Sequence, residues 1–162
     1  MPNYVKLQPT IGGEIPHLDF TFRLGGTSAN SLLMSEKDAG KAVKIIGDSQ
    51  VDLCADGDEI HGQIQTVEPH QTAGGFRWGT VRAASSPLLT GQVAAGATLA
   101  IGDEVVAAAQ KPYGVVNNKQ PYHERMLVKK AATANGLRLK VVAIVSGTGA
   151  EGSQVTLSKI FQ

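Results

Sequence analysis

"CADGDEIHGQI" (54–64) and "LAIGDEVVAAA" (99–109) decide how this chain is read. From Gly57 to Gly102 is a step of forty-five positions, and the wording is nearly the same on both sides of it. Each stretch runs from a small or apolar pair into Gly-Asp-Glu and then a β-branched residue. Glycine supplies a positive φ at a turn without steric cost, and an aspartate beside it bonds the local backbone. The β-branched residues that follow, Ile60 and Val105, suit a pleated, half-buried strand. Gly57-Asp58 and Gly102-Asp103 are therefore expected as two corners of one β-barrel or β-sandwich. Two copies do not make a solenoid.

The segments on either side have the same texture. "KAVKII" (41–46) and "QVDLC" (50–54) read as strands about a Gly-Asp turn. "EIHGQIQTVE" (59–68) alternates with Ile60, Gly62, Ile64 and Thr66 on one side, and "FRWGTVRA" (76–83) alternates as well, with "HQTAGG" (70–75) as the loop between them. "GATLAIGDEVVAAA" (96–109) reads as two strands about one turn. "GVV" (114–116), "RMLVKKA" (125–131), "LRLKVVAIVSG" (137–147) and "SQVTLSKIF" (153–161) follow. Asn135-Gly136, between two of these, favours a tight hairpin. Ser35 with Asp38 resembles a helix-capping box on one short helical turn, which Gly40 ends. About ten short strands, turn signals every 8–12 residues and no long helix predict an all-β barrel or sandwich.

Residues 1–34 differ from the rest. Pro2, Pro9, Pro16 and the pair Gly25-Gly26 punctuate them, and "LDFTFRL" (18–24) sets Leu18, Phe20, Phe22 and Leu24 against Asp19, Thr21 and Arg23. An extended segment with one apolar face wants a partner surface. It reads as an N-terminal arm to a domain spanning 35–162, or else as that domain's first strand.

Composition narrows the function classes. The 162 residues carry 15 Lys and Arg against 14 Asp and Glu, a formal net charge of +1, so no basic field for nucleic acid is expected. Charged residues are 18% of the chain, below the roughly 25% usual for soluble domains, and glycine supplies 19 residues. That surface suits close packing against neighbours, and equally a small turn-rich β domain. The stretch "MPNYVKLQPTIGGEIPHL" has no apolar h-region and no run of 18 apolar residues occurs, so neither a signal peptide nor a membrane span is expected. The single cysteine, Cys54, reads as a small buried apolar side chain.

Motifs that carry chemistry fail on inspection. "GTGAEG" (147–152) fits G-x-G-x-x-G, but only ten residues remain after it, too few for the helix, strand and acidic residue a dinucleotide site needs. It reads as a glycine-rich turn. "DLCADGD" (52–58) lacks the bidentate glutamate of a calcium loop, since Gln63 stands there. His17, His61, His70 and His123 do not have metal-ligand spacing. The adjacent pairs Asp58-Glu59 and Asp103-Glu104 would point to opposite faces of a strand. No enzyme, metal or cofactor is expected. In "FRWG" (76–79), Phe76 and the only tryptophan, Trp78, lie on one side of a strand, as an interface anchor or as a core aromatic.

Residues 38–146 carry a family likeness: "DAGKAVKIIGDSQVDLCADGDEIHGQIQTVEP", "GGFRWGTVRA", "GATLAIGDEVVAA", "GVVNN" and "VVAIV". This set resembles the capsid decoration, or cement, proteins of tailed bacteriophages. The resemblance implies a non-enzymatic virion protein on the outer surface of an assembled capsid. It implies a small barrel or β-tulip with an N-terminal arm, commonly a homotrimer, made in the host cytoplasm. The partner would be the phage major capsid protein, with neighbouring subunits bridged and the shell stabilised. Leu18, Phe20, Phe22 and Leu24 are then the expected arm contacts, through β-augmentation, with gains from multivalency. The alternative is a β-barrel module that binds glycan or a host surface through Trp78, Tyr113 and Tyr122.

Overall fold

The computed structural model describes residues 8–10, 13–15, 18–25, 34–72, 76–112 and 126–159. Two short strands, β1 (Gln8–Thr10) and β2 (Gly13–Ile15), pair antiparallel as a separate ribbon. The next five are β3 (Asp19–Leu24), β4 (Ala42–Gly47), β5 (Gln50–Leu53), β6 (Gly62–Val67) and β7 (Arg77–Ala83). They close into a barrel in the order β3-β5-β4-β6-β7. The last five are β8 (Leu89–Val93), β9 (Val105–Ala107), β10 (Met126–Lys130), β11 (Lys140–Ser146) and β12 (Gln154–Ser158). They form a mixed sheet in the order β11-β12-β8-β10-β9. The chain is all-β, as its alternating segments predict. The 3-10 turn Glu36–Asp38 is capped by Ser35 in a reciprocal capping box.

The barrel closes because alternate residues of its strands are apolar. Leu24, Val43, Val51, Leu53, Ile64, Val67 and Val81 fill it with Met34. Five strands enclose little space, and glycine stands where the walls come closest. A Cβ at Gly62 would lie 2.5 Å from the Val81 Cγ1, and one at Gly79 would lie 2.6 Å from the Leu24 Cδ1. A bulge between Ile64 and Thr66 shifts the period of β6. Thr66 therefore faces out and Val67 faces in, against the strict alternation expected from the sequence.

The reading of 18–24 as arm is corrected here. β3 pairs along its whole length with β7, from Asp19↔Arg82 to Leu24↔Arg77, and its end runs parallel to β5. Leu24 is fully buried and Phe22 packs against the same core, so neither is available to a partner as an arm residue would be. An apolar strand with a free edge opposite β7 gains a ladder of hydrogen bonds and a core by joining its own domain. Met34, the last residue of the expected arm, lies in that core too.

The second sheet nearly closes as well. Val105 N–H donates to Leu139 O at 2.9 Å, Val141 N–H to Asp103 O at 3.0 Å and Gly102 N–H to Val141 O at 2.7 Å. Glu104 bridges Lys140 in this seam. Its core holds Leu89, Val93, Leu99, Met126, Val128, Leu139, Val141, Val155 and Leu157. Ala42, Cys54 and Ile60, from the barrel half of the chain, belong to that same core. Buried glutamines complete the joint. Gln63 on β6 donates to Gly40 O and to Thr90 O, each at 2.9 Å. Gln110 donates to Leu127 O at 2.9 Å, and its backbone N–H to Cys54 O, also at 2.9 Å.

Further local readings change. Residues 96–101 are not a strand; they are turn and coil leading to β9. Asn135-Gly136 does not make a tight hairpin, because β12 and β8 stand between β11 and β10 in the sheet. The segment 114–116 lies outside the described residues.

Cys54 is 1% exposed, and burial pushes its thiol up to about 12. Reaction at sulfur needs the thiolate, so native protein should resist a water-soluble thiol reagent and react fully once unfolded. Time-resolved labelling in buffer and in denaturant measures this; rapid native labelling would contradict the burial.

Candidate functional site

The barrel opens where β4 and β6 part. β4 and β6 pair only at Ala42↔Gln63 and Val43↔Gly62, after which β4 leaves its neighbour. His61 spans the gap: its N–H donates to Val43 O at 2.9 Å and its Nδ1 accepts the Ile45 N–H at 2.9 Å. That bond places the proton of the neutral ring on Nε2. His61 thus lies on the barrel rim, not on the outer face of a strand as its position in the sequence suggests.

A half-open cavity of about 200 Å³ results, lined by Phe20, Phe22, Ile45, Val51, His61, Val81 and Ala83. Phe20 and Phe22 meet edge to face at 6.5 Å. Around the opening, Leu18 is 37% exposed, Phe20 41%, Ile45 52% and Ile46 43%. Single exposed apolar residues need no explanation, but apolar groups exposed at a cavity make a candidate interaction surface. Phe20 and Phe22 from the sequence reading come together here with Ile45, which that reading missed, and Leu18 and Ile46 next to them in the chain are exposed as well. A run "KAVKII" that simply alternated as a half-buried strand would expose only one of the last two. Both are exposed because Ile46 faces outward and Ile45, on the inner face, lies beyond the point where β4 parts from β6.

Phe76 and Trp78 lie elsewhere, on the outer wall of the barrel. Their rings meet edge to face at 5.7 Å, and the Arg23 guanidinium stands 5.0 Å from the Phe76 centroid. Both aromatics are half-buried. Tyr113 and Tyr122 lie outside the described residues, as do His17 and His123. Among the described residues there is no group of three or more metal-ligating side chains, and no helix long and apolar enough to cross a membrane.

The Gly-Asp turns use one set of bonds. Gly57 has φ +86° and Gly102 has φ +90°. Asp58 N–H donates to Ala55 O and Asp103 N–H to Ala100 O. Each aspartate carboxylate accepts the N–H three residues back, from Ala55 at 2.7 Å and from Ala100 at 2.8 Å. Gly57 N–H donates to Ala107 O, and Ala107 N–H returns to Asp58 O; Val141 plays the same part for Gly102 and Asp103. "AEGSQV" (150–155) repeats the scheme, with Gly152 at φ +81°, Ser153 N–H to Ala150 O, and Val93 exchanging both bonds with Gly152 and Ser153. Serine in the aspartate position hid this copy from the sequence reading. Ile60, Val105 and Val155, each three residues past the turn glycine, all enter the second core.

The two aspartates also hold lysines. Burial pushes Asp58 up, but Lys44 Nζ at 2.5 Å and the Ala55 N–H outweigh it, and its carboxyl sits below the usual range. Lys130 at 2.7 Å and the Ala100 N–H hold Asp103 low as well. A carboxyl depressed in the folded state stabilises above its unfolded pKa of about 4 and loses that contribution as pH falls through the folded value. Asp103→Asn should therefore lower the thermal midpoint at neutral pH, and the gap to wild type should shrink as pH falls below the ordinary carboxylate range. Melting curves across that range test it; a constant gap at every pH would rule out the linkage.

Compared with known proteins, the chain matches no protein family, no curated protein and no solved structure.

Proposed function

We propose that this chain is a non-enzymatic structural protein of a tailed-phage virion. It sits on the outer surface of an assembled capsid and meets the major capsid protein with the mouth of its barrel. The observation that carries the reading is an apolar cavity in the barrel whose lining includes the exposed side chains of Phe20 and Ile45. It is supported by the resemblance over 38–146 and by a weakly charged chain. Binding through the mouth takes these side chains out of water, and a shell repeats the site many times over, so modest contacts suffice. Self-association as a trimer belongs to the same reading. Ile101, Leu137 and Val145, exposed on a turn, a loop and the bulged end of β11, are apolar groups available to it.

Phe20→Asp tests the mouth. Phe20 is already 41% exposed, so folding should survive, while co-sedimentation with capsids lacking the protein should fall at least tenfold. Undiminished co-sedimentation would move the contact elsewhere. Light scattering in dilute buffer tests the trimer, and a monomer there and on the shell would remove it.

A second reading has its own observation, the Phe76–Trp78 pair with Arg23 beside it. The Arg23 guanidinium covers the Phe76 ring, and the half-buried Trp78 beside it offers a face on which a sugar ring can stack. Trp78→Ala should then abolish retention on a glycan array and leave capsid co-sedimentation intact.

A further inference from the structure

Asn135-Gly136 is the least hindered sequence in which an asparagine can deamidate, because glycine puts no side chain in the way. The reaction needs the Gly136 backbone nitrogen to attack the Asn135 side-chain carbonyl carbon. A nitrogen–carbon bond forms, the Gly136 N–H proton passes to solvent, the side-chain amide leaves as ammonia, and a five-membered imide remains. Water then opens either imide carbonyl, to aspartate or to isoaspartate.

In this fold both reacting groups are tied down. Gly136 N–H donates to Glu104 Oε1 at 2.8 Å and Asn135 N–H to Glu104 Oε2 at 2.9 Å. The Asn135 Oδ1 accepts the Leu137 N–H at 2.9 Å. Glu104 is itself 8% exposed, and its backbone is fixed in the seam of the second sheet, in a β-bridge to Lys140 and with its carbonyl accepting the Ala131 N–H at 2.8 Å. This is where the Gly-Asp-Glu repeats part company: the Glu59 side chain is 43% exposed and its carboxylate meets Lys159 at 3.6 Å.

We infer that Asn135 is a guarded deamidation site and that Glu104 is its guard. The carboxylate holds the Gly136 N–H away from the carbon it must attack. It is far too weak a base to take an amide proton, and its charge opposes the anionic tetrahedral intermediate that ring closure passes through. Release therefore requires the loop between β10 and β11 to leave Glu104. The isoaspartate product lengthens the backbone by one atom between two amides that share one carboxylate. The converted loop does not fit back on its guard, and the seam at Glu104↔Lys140 stays loosened.

The test follows conversion in the tryptic peptide 131–138 by mass spectrometry during prolonged warm incubation at slightly alkaline pH. Full-length native protein, the same protein in urea, and the Glu104→Gln variant are compared. The native chain should convert roughly a hundredfold more slowly than the unfolded chain, the cost of releasing two hydrogen bonds to a charged acceptor. Glu104→Gln leaves one acceptor oxygen for two donors and should recover at least tenfold of that difference, with circular dichroism confirming that it is folded. If the variant does not fold, the native-to-urea ratio decides alone. Equal rates for native and unfolded wild type would overturn the proposal, and so would a folded Glu104→Gln that converts no faster than wild type, or more slowly.

Discussion

Gly149→Ala should cost about 4 kcal/mol, a large fraction of the stability of an ordinary domain. Gly149 has φ +86°, a conformation L side chains rarely adopt. A Cβ built on it would lie 2.1 Å from the carbonyl oxygen of Leu99, which is backbone and cannot swing aside. The same residues hold each other: Leu99 N–H donates to Gly149 O at 2.8 Å, and Gly149 N–H to the Ser153 hydroxyl at 3.0 Å. Relief of the clash would break the bond that docks the 147–152 turn on the second core. Gly102→Ala is the control, since its φ is +90° but nothing lies within 4 Å of its Cβ position. It should lose only about 1 kcal/mol, the conformational cost alone. Urea denaturation of both variants measures the difference; equal losses would mean that the close approach is not real.

Lys41→Met should cost about 3–5 kcal/mol, although it makes a buried position more apolar. Lys41 is 3% exposed and Asp38 0%, and their charged groups meet at 2.6 Å. The ammonium also donates to Lys111 O, tying the 3-10 turn to the segment that leaves β9. Removing one ion leaves the other desolvated without its counter-charge. The carboxylate of Asp38 keeps the Ser35 N–H at 2.7 Å, which does not replace a cation. Asp38→Asn in the Lys41→Met background should restore most of the loss, because a neutral amide still accepts that N–H. A double-mutant cycle by urea denaturation reads the coupling directly, and additive losses would show that the two charges do not stabilise each other.

Much of this fold is legible from alternation and turn chemistry. The strands β4, β5, β6, β7, β10, β11 and β12 all fall within segments whose pattern of apolar residues alternates or runs β-branched. The Gly-Asp turns are legible because glycine and aspartate each have a local reason to be there. What alternation cannot convey is the partner of each strand. Asn135-Gly136 has the local signal of a hairpin, yet its flanking strands are separated by two others, and Glu104, distant in sequence, holds the loop. Nor is a bulge visible in a pattern read two residues at a time, which is why Thr66 faces out where alternation puts it with Ile64.

The candidate site divides along the same line. Phe20 and Phe22 stand out in the sequence because large apolar residues alternate in a polar, proline-rich context. Their setting on the rim of a barrel does not. It depends on β4 parting from β6 after two residue pairs and on His61 taking the amide left behind. The class of the fold follows from short-range physics, φ preferences and side-chain alternation, which each residue carries with it. The closing of the barrel, the seam at Glu104 and the apolar mouth follow from long-range pairing. That pairing is set by which edges and cores satisfy one another, and no single stretch of sequence contains it.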